Sequence, residues 1–201
     1  MSSDRRLQYI IIAHLKSLKR RSFLDVGCGF GCWGYKIQAY SEPSYLVGID
    51  VWKPYLLRVK RKNIYDDIIL ADALHLPFKE KSINIVLACE IIEHLPKSEG
   101  EIFLKTLEKI STDKVIVSTP NFKYLQDEVR GNPFEKHVSF WKYSHFPKGY
   151  KIYGIGFQIG EKLFLSNIPF LGYFLRRLIL FGIFCKFSEL IVAVKDQKGS
   201  V

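Results

Sequence analysis

Between Asp4 and Lys19 the apolar positions Leu7, Ile10, Ile11, Leu15 and Leu18 recur three and four residues apart, which predicts an amphipathic helix. It ends at the basic cluster Lys19, Arg20 and Arg21. A short apolar run, Phe23 to Val26, then breaks into glycines, and a helical stretch from Cys32 to Tyr40 follows. The alternation continues with a strand at Tyr45 to Ile49, a helix at Pro54 to Lys62, and strands at Asp67 to Leu70 and Ile83 to Ala88. A helix over Ser98 to Ile110, with Ile102, Leu104, Leu107 and Ile110 at helical spacing, leads to a fifth strand, Lys114 to Ser118, which Pro120 stops. Strands and helices alternating at this spacing require right-handed crossovers, hence a parallel sheet covered on both faces. The expected fold is α/β and doubly wound.

Beyond Pro120 the order weakens. Asn121 to Lys148 is polar, aromatic and proline-bearing, and reads as a loop with a short helix. Tyr150 to Phe157 is expected as a sixth strand and Leu190 to Val194 as the last. Between them, residues 163–187 are the most apolar stretch of the chain. No internal repeat or low-complexity linker divides the sequence. One domain over residues 1–201 is therefore expected, with an apolar insertion at about 163–187 before the last strand.

Composition changes this picture little. With 201 residues, 48% hydrophobic and 14% aromatic, the chain can bury a substantial core. A formal charge of +10 favours anionic partners in general. The basic residues are nevertheless spread rather than arrayed in one stripe, as solvated helix faces are, so nucleic acid is not the expected partner. Cys28, Cys32, Cys89 and Cys185 have neither the paired spacing of a zinc site nor the density of a disulfide scaffold. No metal site is expected from them, and a reducing, cytoplasmic setting fits best. The apolar patch Tyr9 to Ala13 is too short for a secretion signal.

The chemistry concentrates at the strand ends. Leu24-Asp25-Val26-Gly27-Cys28-Gly29-Phe30-Gly31 lies at the carboxyl end of the first strand, where a doubly wound sheet binds its ligand and where glycines let the backbone approach it. Gly29-x-Gly31-x-x-Gly34 also satisfies the dinucleotide fingerprint. Asp25 argues against a dinucleotide, because its carboxylate would repel a pyrophosphate and attract a cationic amino group. Asp50 ends the second strand, where an acid can accept from both hydroxyls of a ribose. Asp72 follows the third strand and can accept from an adenine amine while the Ala73 amide reads the ring.

With three acids at three successive strand ends, residues 20 to 120 resemble the class I S-adenosylmethionine-dependent methyltransferases, in particular the small-molecule, type 11-like subgroup. The glycine turn corresponds to the first motif, Gly48-Ile49-Asp50 to the ribose acid, and Ala71-Asp72-Ala73-Leu74-His75-Leu76-Pro77-Phe78 to the adenine motif. Ile83 to Leu95 resembles the segment lining the methionine side of the cofactor. The resemblance implies a Rossmann-like, doubly wound, seven-stranded sheet with the last strand antiparallel. It also implies an S-adenosyl-L-methionine site formed by Asp25, Gly27, Cys28, Gly29, Asp50, Val51, Trp52, Asp72, Ala73, Cys89 and Glu90. For Trp52 two roles stay open, flanking the adenine or packing in the core.

Methyl transfer from a sulfonium needs mainly alignment, and a general base only for an acceptor of high pKa. Glu93, His94 and His137 are candidates for that base, with His145 a further one, and none is assigned. No NPPY-like or DPPY-like tetrapeptide follows the fourth strand, which disfavours RNA or protein acceptors relative to a small, hydrophobic or lipid-like one. A methyltransferase-like binding module without catalysis is the other alternative. Residues 163–187 would serve as a pocket lid, a peripheral membrane contact or a homodimer interface; Arg176 and Arg177 in their middle argue against a membrane span.

Overall fold

The computed structural model describes residues 5–122, 125–155 and 188–197. Within them, α1 (Arg5–Lys16) precedes β1 (Ser22–Val26), α2 (Cys32–Ser41), β2 (Tyr45–Asp50), α3 (Lys53–Lys60), β3 (Asp67–Leu70) and β4 (Ile83–Cys89). Then follow α4 (Lys97–Ile110), β5 (Ser111–Pro120), β6 (Lys151–Ile155) and β7 (Leu190–Asp196). The seven strands form one sheet in the order β3-β2-β1-β4-β5-β7-β6. The first five are parallel, and β7 runs antiparallel between β5 and β6. The strand order reverses between β1 and β4, the switch point at which open α/β sheets bind ligands.

The expected elements recur with their ends moved by a few residues. The largest shift is in β5, which the sequence pattern confines to Lys114 to Ser118; pairing with β7 from Lys114↔Asp196 to Pro120↔Leu190 carries it on to Pro120. The connection after β5 holds two 3-10 turns, Pro133–Glu135 and Tyr143–His145, instead of one short helix. Asn132 caps the first at its amino end, its side-chain oxygen accepting from the Phe134 amide at 3.0 Å, and the extended backbone of Lys136 ends it after one turn.

Side chains alternate across the sheet and divide the core in two. Phe23, Ile85, Leu87, Ile116 and Val192 pack with Ile11 and Leu15 of α1 and with Trp33 and Ile37 of α2. Leu24, Val47, Val86, Val115 and Val117 face Phe103, Leu104 and Leu107 of α4. Trp141 joins this second layer fully buried, and its indole donates to the Ser139 hydroxyl at 3.0 Å. It seats on Gly100 of α4, where a Cβ would stand 2.5 Å from its Cζ2. That contact anchors the 125–145 connection against the carboxyl ends of β4 and β5. The insertion expected at 163–187 lies outside the described residues.

Candidate functional site

Three left-handed glycines, Gly27 (φ +71°), Gly29 (φ +51°) and Gly31 (φ +79°), turn the chain from β1 into α2. The turn is tied down by Cys28 donating to the Ile49 carbonyl and Gly31 to the Cys28 carbonyl, both at 2.8 Å. Gly27 packs against the Ile91 side chain, and a Cβ there would collide with it. At Gly29 a Cβ would meet nothing within 4 Å, so this residue borders open space.

Asp50 stands at the centre. Its Oδ2 accepts from the Gly29 amide and its Oδ1 from the Trp52 amide, both at 2.8 Å. Burial pushes its carboxyl above the ordinary range, and the two amides oppose that shift. A carboxylate has about four acceptor sites, so two amides do not exhaust it. Asp72 is half-exposed: its Oδ1 accepts from the Leu74 amide at 2.9 Å, and its Oδ2 lies 3.6 Å from His75 Nδ1.

A cavity of about 610 Å³ opens over these strand ends. Of the residues expected at the cofactor, Gly27, Cys28, Gly29, Asp50, Val51, Asp72, Ala73, Cys89 and Glu90 line it. Asp25 does not. On β1 it shares the face of Phe23, and its register partner on β2 is Gly48, so period-two alternation sends its side chain into the core below the turn. There it is 1% exposed and accepts from the Tyr65 hydroxyl at 2.5 Å. Burial thus sets Asp25 apart from Asp50 and Asp72, which line the cavity. Trp52 also stays off the lining; its ring lies 6.2 Å from that of Phe134.

The cavity is lined as well by the apolar Leu95, Phe122, Phe134 and Leu190. Three of the candidate bases meet on its wall. Glu93 and His94 form a 3-10 turn just past β4, and His137 arrives from the 125–145 connection. One ligand atom from each lies within 4.8 Å of the others. His145 is elsewhere, accepting from the Lys142 amide at 3.0 Å. Glu135, which accepts from the Tyr55 hydroxyl at 3.1 Å, also lines the cavity. The sequence pattern offers no signal for it, because its place depends on the fold of an irregular connection.

Residues 24–113 match a family described as a methyltransferase domain. An uncharacterized protein of Methanocaldococcus jannaschii is 29% identical over 157 residues, which is 75% of this chain; the chain spans 60% of that relative's length. Among solved structures, magnesium protoporphyrin IX methyltransferase from Synechocystis, with S-adenosylmethionine bound, aligns over 94% of this chain and 78% of its own at 16% identity and a TM-score of 0.57. A SAM-dependent methyltransferase from Archaeoglobus fulgidus aligns over 94% and 91% at 15% identity and a TM-score of 0.59. These two likenesses concern the fold, while the family match runs through the glycine turn, Asp50, Asp72 and the β4 exit in order, so that residues 24–113 are similar to a methyltransferase domain.

Proposed function

We propose that the chain transfers a methyl group from S-adenosylmethionine to a small acceptor with an apolar body. When bound, the cofactor supplies a methyl group activated on a sulfonium sulfur, which leaves the protein the task of alignment. The residues present fit it. Gly29 borders open space, so a ligand can approach the backbone closely. Gly29 and Trp52 hold the Asp50 carboxylate in place with acceptor capacity to spare for two ribose hydroxyls. Asp72 and Ala73 line the wall suited to the adenine edge, and Glu90 adds negative charge where β4 ends, which suits an ammonium group.

The observation that carries the choice of acceptor is the sign of the cavity. In a chain of net charge +10, the described lining contains seven carboxylates and no lysine or arginine. A polyanion is repelled from such a chamber, whereas a neutral or cationic molecule can dock its apolar part on Leu95, Phe122, Phe134 and Leu190. The test is transfer of radiolabelled methyl groups to a panel of hydroxylated aromatics, amines and isoprenoid alcohols, run beside transfer RNA and unfolded protein. Labelling confined to small molecules supports the proposal. Labelling of RNA or protein alone overturns it, and cofactor binding without any transfer turns the reading to a binding module.

A further inference from the structure

The cluster of Glu93, His94 and His137 on the cavity wall has the makings of a ligand set. Glu93 is 2% exposed, and neither of its carboxylate oxygens has a hydrogen-bond partner among the described residues. A carboxylate in that condition is costly unless a cation or a proton answers it.

The backbone is arranged around this point. The Glu93 carbonyl accepts from the amides of Val138 and Ser139, both at 3.0 Å, which draws His137 to the cluster. His94 Nδ1 lies 3.0 Å from the Lys136 carbonyl. A proton on Nδ1 answers that carbonyl and leaves Nε2 as the nitrogen able to ligate, the second-shell arrangement common for metal-binding histidines. The rings of His94 and His137 meet edge to face with centroids 4.9 Å apart, so the two imidazoles converge.

We propose that Glu93, His94 and His137 bind a divalent transition-metal ion, and that this ion takes an oxygen of the acceptor as a further ligand. The second half of the proposal rests on the methyltransferase reading; the first does not. Two imidazoles and one carboxylate suit Zn²⁺, Co²⁺, Mn²⁺ or Fe²⁺ better than Mg²⁺ or Ca²⁺, which prefer all-oxygen sites. Three protein ligands also leave coordination positions open for a substrate. An acceptor hydroxyl bound there loses its proton to water more readily. Its oxygen then bonds to the methyl carbon as the carbon–sulfur bond breaks, and that electron pair stays on sulfur. No side chain has to act as base.

The experiment uses the full chain, freed of any affinity tag and stripped with chelator, and titrates it with Co²⁺ and Zn²⁺ by calorimetry while Co²⁺ absorption is followed. One equivalent should bind and produce visible ligand-field bands. Glu93→Gln and His137→Ala should each weaken binding at least about tenfold while circular dichroism and S-adenosylmethionine affinity stay near those of the unsubstituted chain. Acetohydroxamate, a bidentate oxygen ligand, should shift the Co²⁺ bands. Absence of stoichiometric metal, or affinity unchanged in both folded variants, overturns the metal site, even if the cofactor binds. Bands indifferent to hydroxamate overturn the oxygen ligand, and metal binding without any cofactor binding overturns the methyltransferase reading alone.

Discussion

The Tyr65 hydroxyl reaches Asp25 Oδ2 at 2.5 Å beneath the glycine turn, in space left by Gly34 and Gly48; a Cβ on Gly48 would stand 2.9 Å from the Tyr65 ring. Burial pushes the Asp25 carboxyl up to about 7, from an ordinary 3.8, against the opposing pull of this hydrogen bond. The folded protein thus holds a proton there that the unfolded chain has released, and folding stability falls as pH rises from about 4 to about 7. Asp25→Asn keeps the shape and removes the titration. Thermal melts at pH 5 and pH 8 should show a smaller loss of Tm for the variant; equal losses would mean that Asp25 is already ionised in the fold.

Asp50 is expected to behave in the opposite manner toward ligand. Asp50→Ala removes the acceptor for two backbone amides and for the ribose, each charge-assisted bond worth about 1.5–3 kcal/mol, so S-adenosylmethionine should bind more than about tenfold more weakly. Asp25→Asn should leave that affinity near the starting value, since Asp25 does not line the cavity. Calorimetry on the pair decides which acid belongs to the cofactor.

Gly100→Ala tests the anchor of the 125–145 connection. The added methyl would meet Trp141 Cζ2 at 2.5 Å and Ile92 Cγ1 at 3.2 Å inside a packed layer. Overpacking of this kind costs about 1–3 kcal/mol. Urea denaturation should show the loss, and Trp141 fluorescence should shift as the ring is displaced. An unchanged midpoint would mean that the connection yields without cost.

Replacing residues 156–187 by a five-residue Gly-Ser linker should leave the fold and cofactor binding intact. Ile155 pairs with Leu190 across β6 and β7, so the ends to be joined already lie side by side. Loop-closure entropy changes by only about 0.6 kcal/mol per doubling of length. The check is circular dichroism and S-adenosylmethionine affinity of the linker variant; failure to fold would show that those residues complete the core.

Most of the fold was legible because it rests on local periodicity. Phe23 to Val26, Tyr45 to Ile49 and Ile83 to Ala88 announce buried strands by composition, and Asp50 and Asp72, singled out for standing at strand ends, line the cavity. The partner of Asp25 was not legible, because alternation along β1 turns its side chain inward to Tyr65, 40 residues away. Glu93 and His94 could be singled out as polar residues after β4, yet their convergence with His137 depends on a connection held by Asn132, Trp141 and the Glu93 carbonyl. No periodicity encodes such a path.

The contrast between a basic chain and an acid-lined chamber has a consequence for how the molecule sorts what it meets. Attraction at an exposed surface decays over a Debye length of about 8 Å at physiological ionic strength, while interactions in a partly enclosed chamber are screened far less. Salt should therefore strip nucleic acid and other polyanions from the outside and leave the selectivity of the inside untouched. RNA that accompanies the protein at low ionic strength and departs at high reports the charge of its exterior and not the identity of an acceptor.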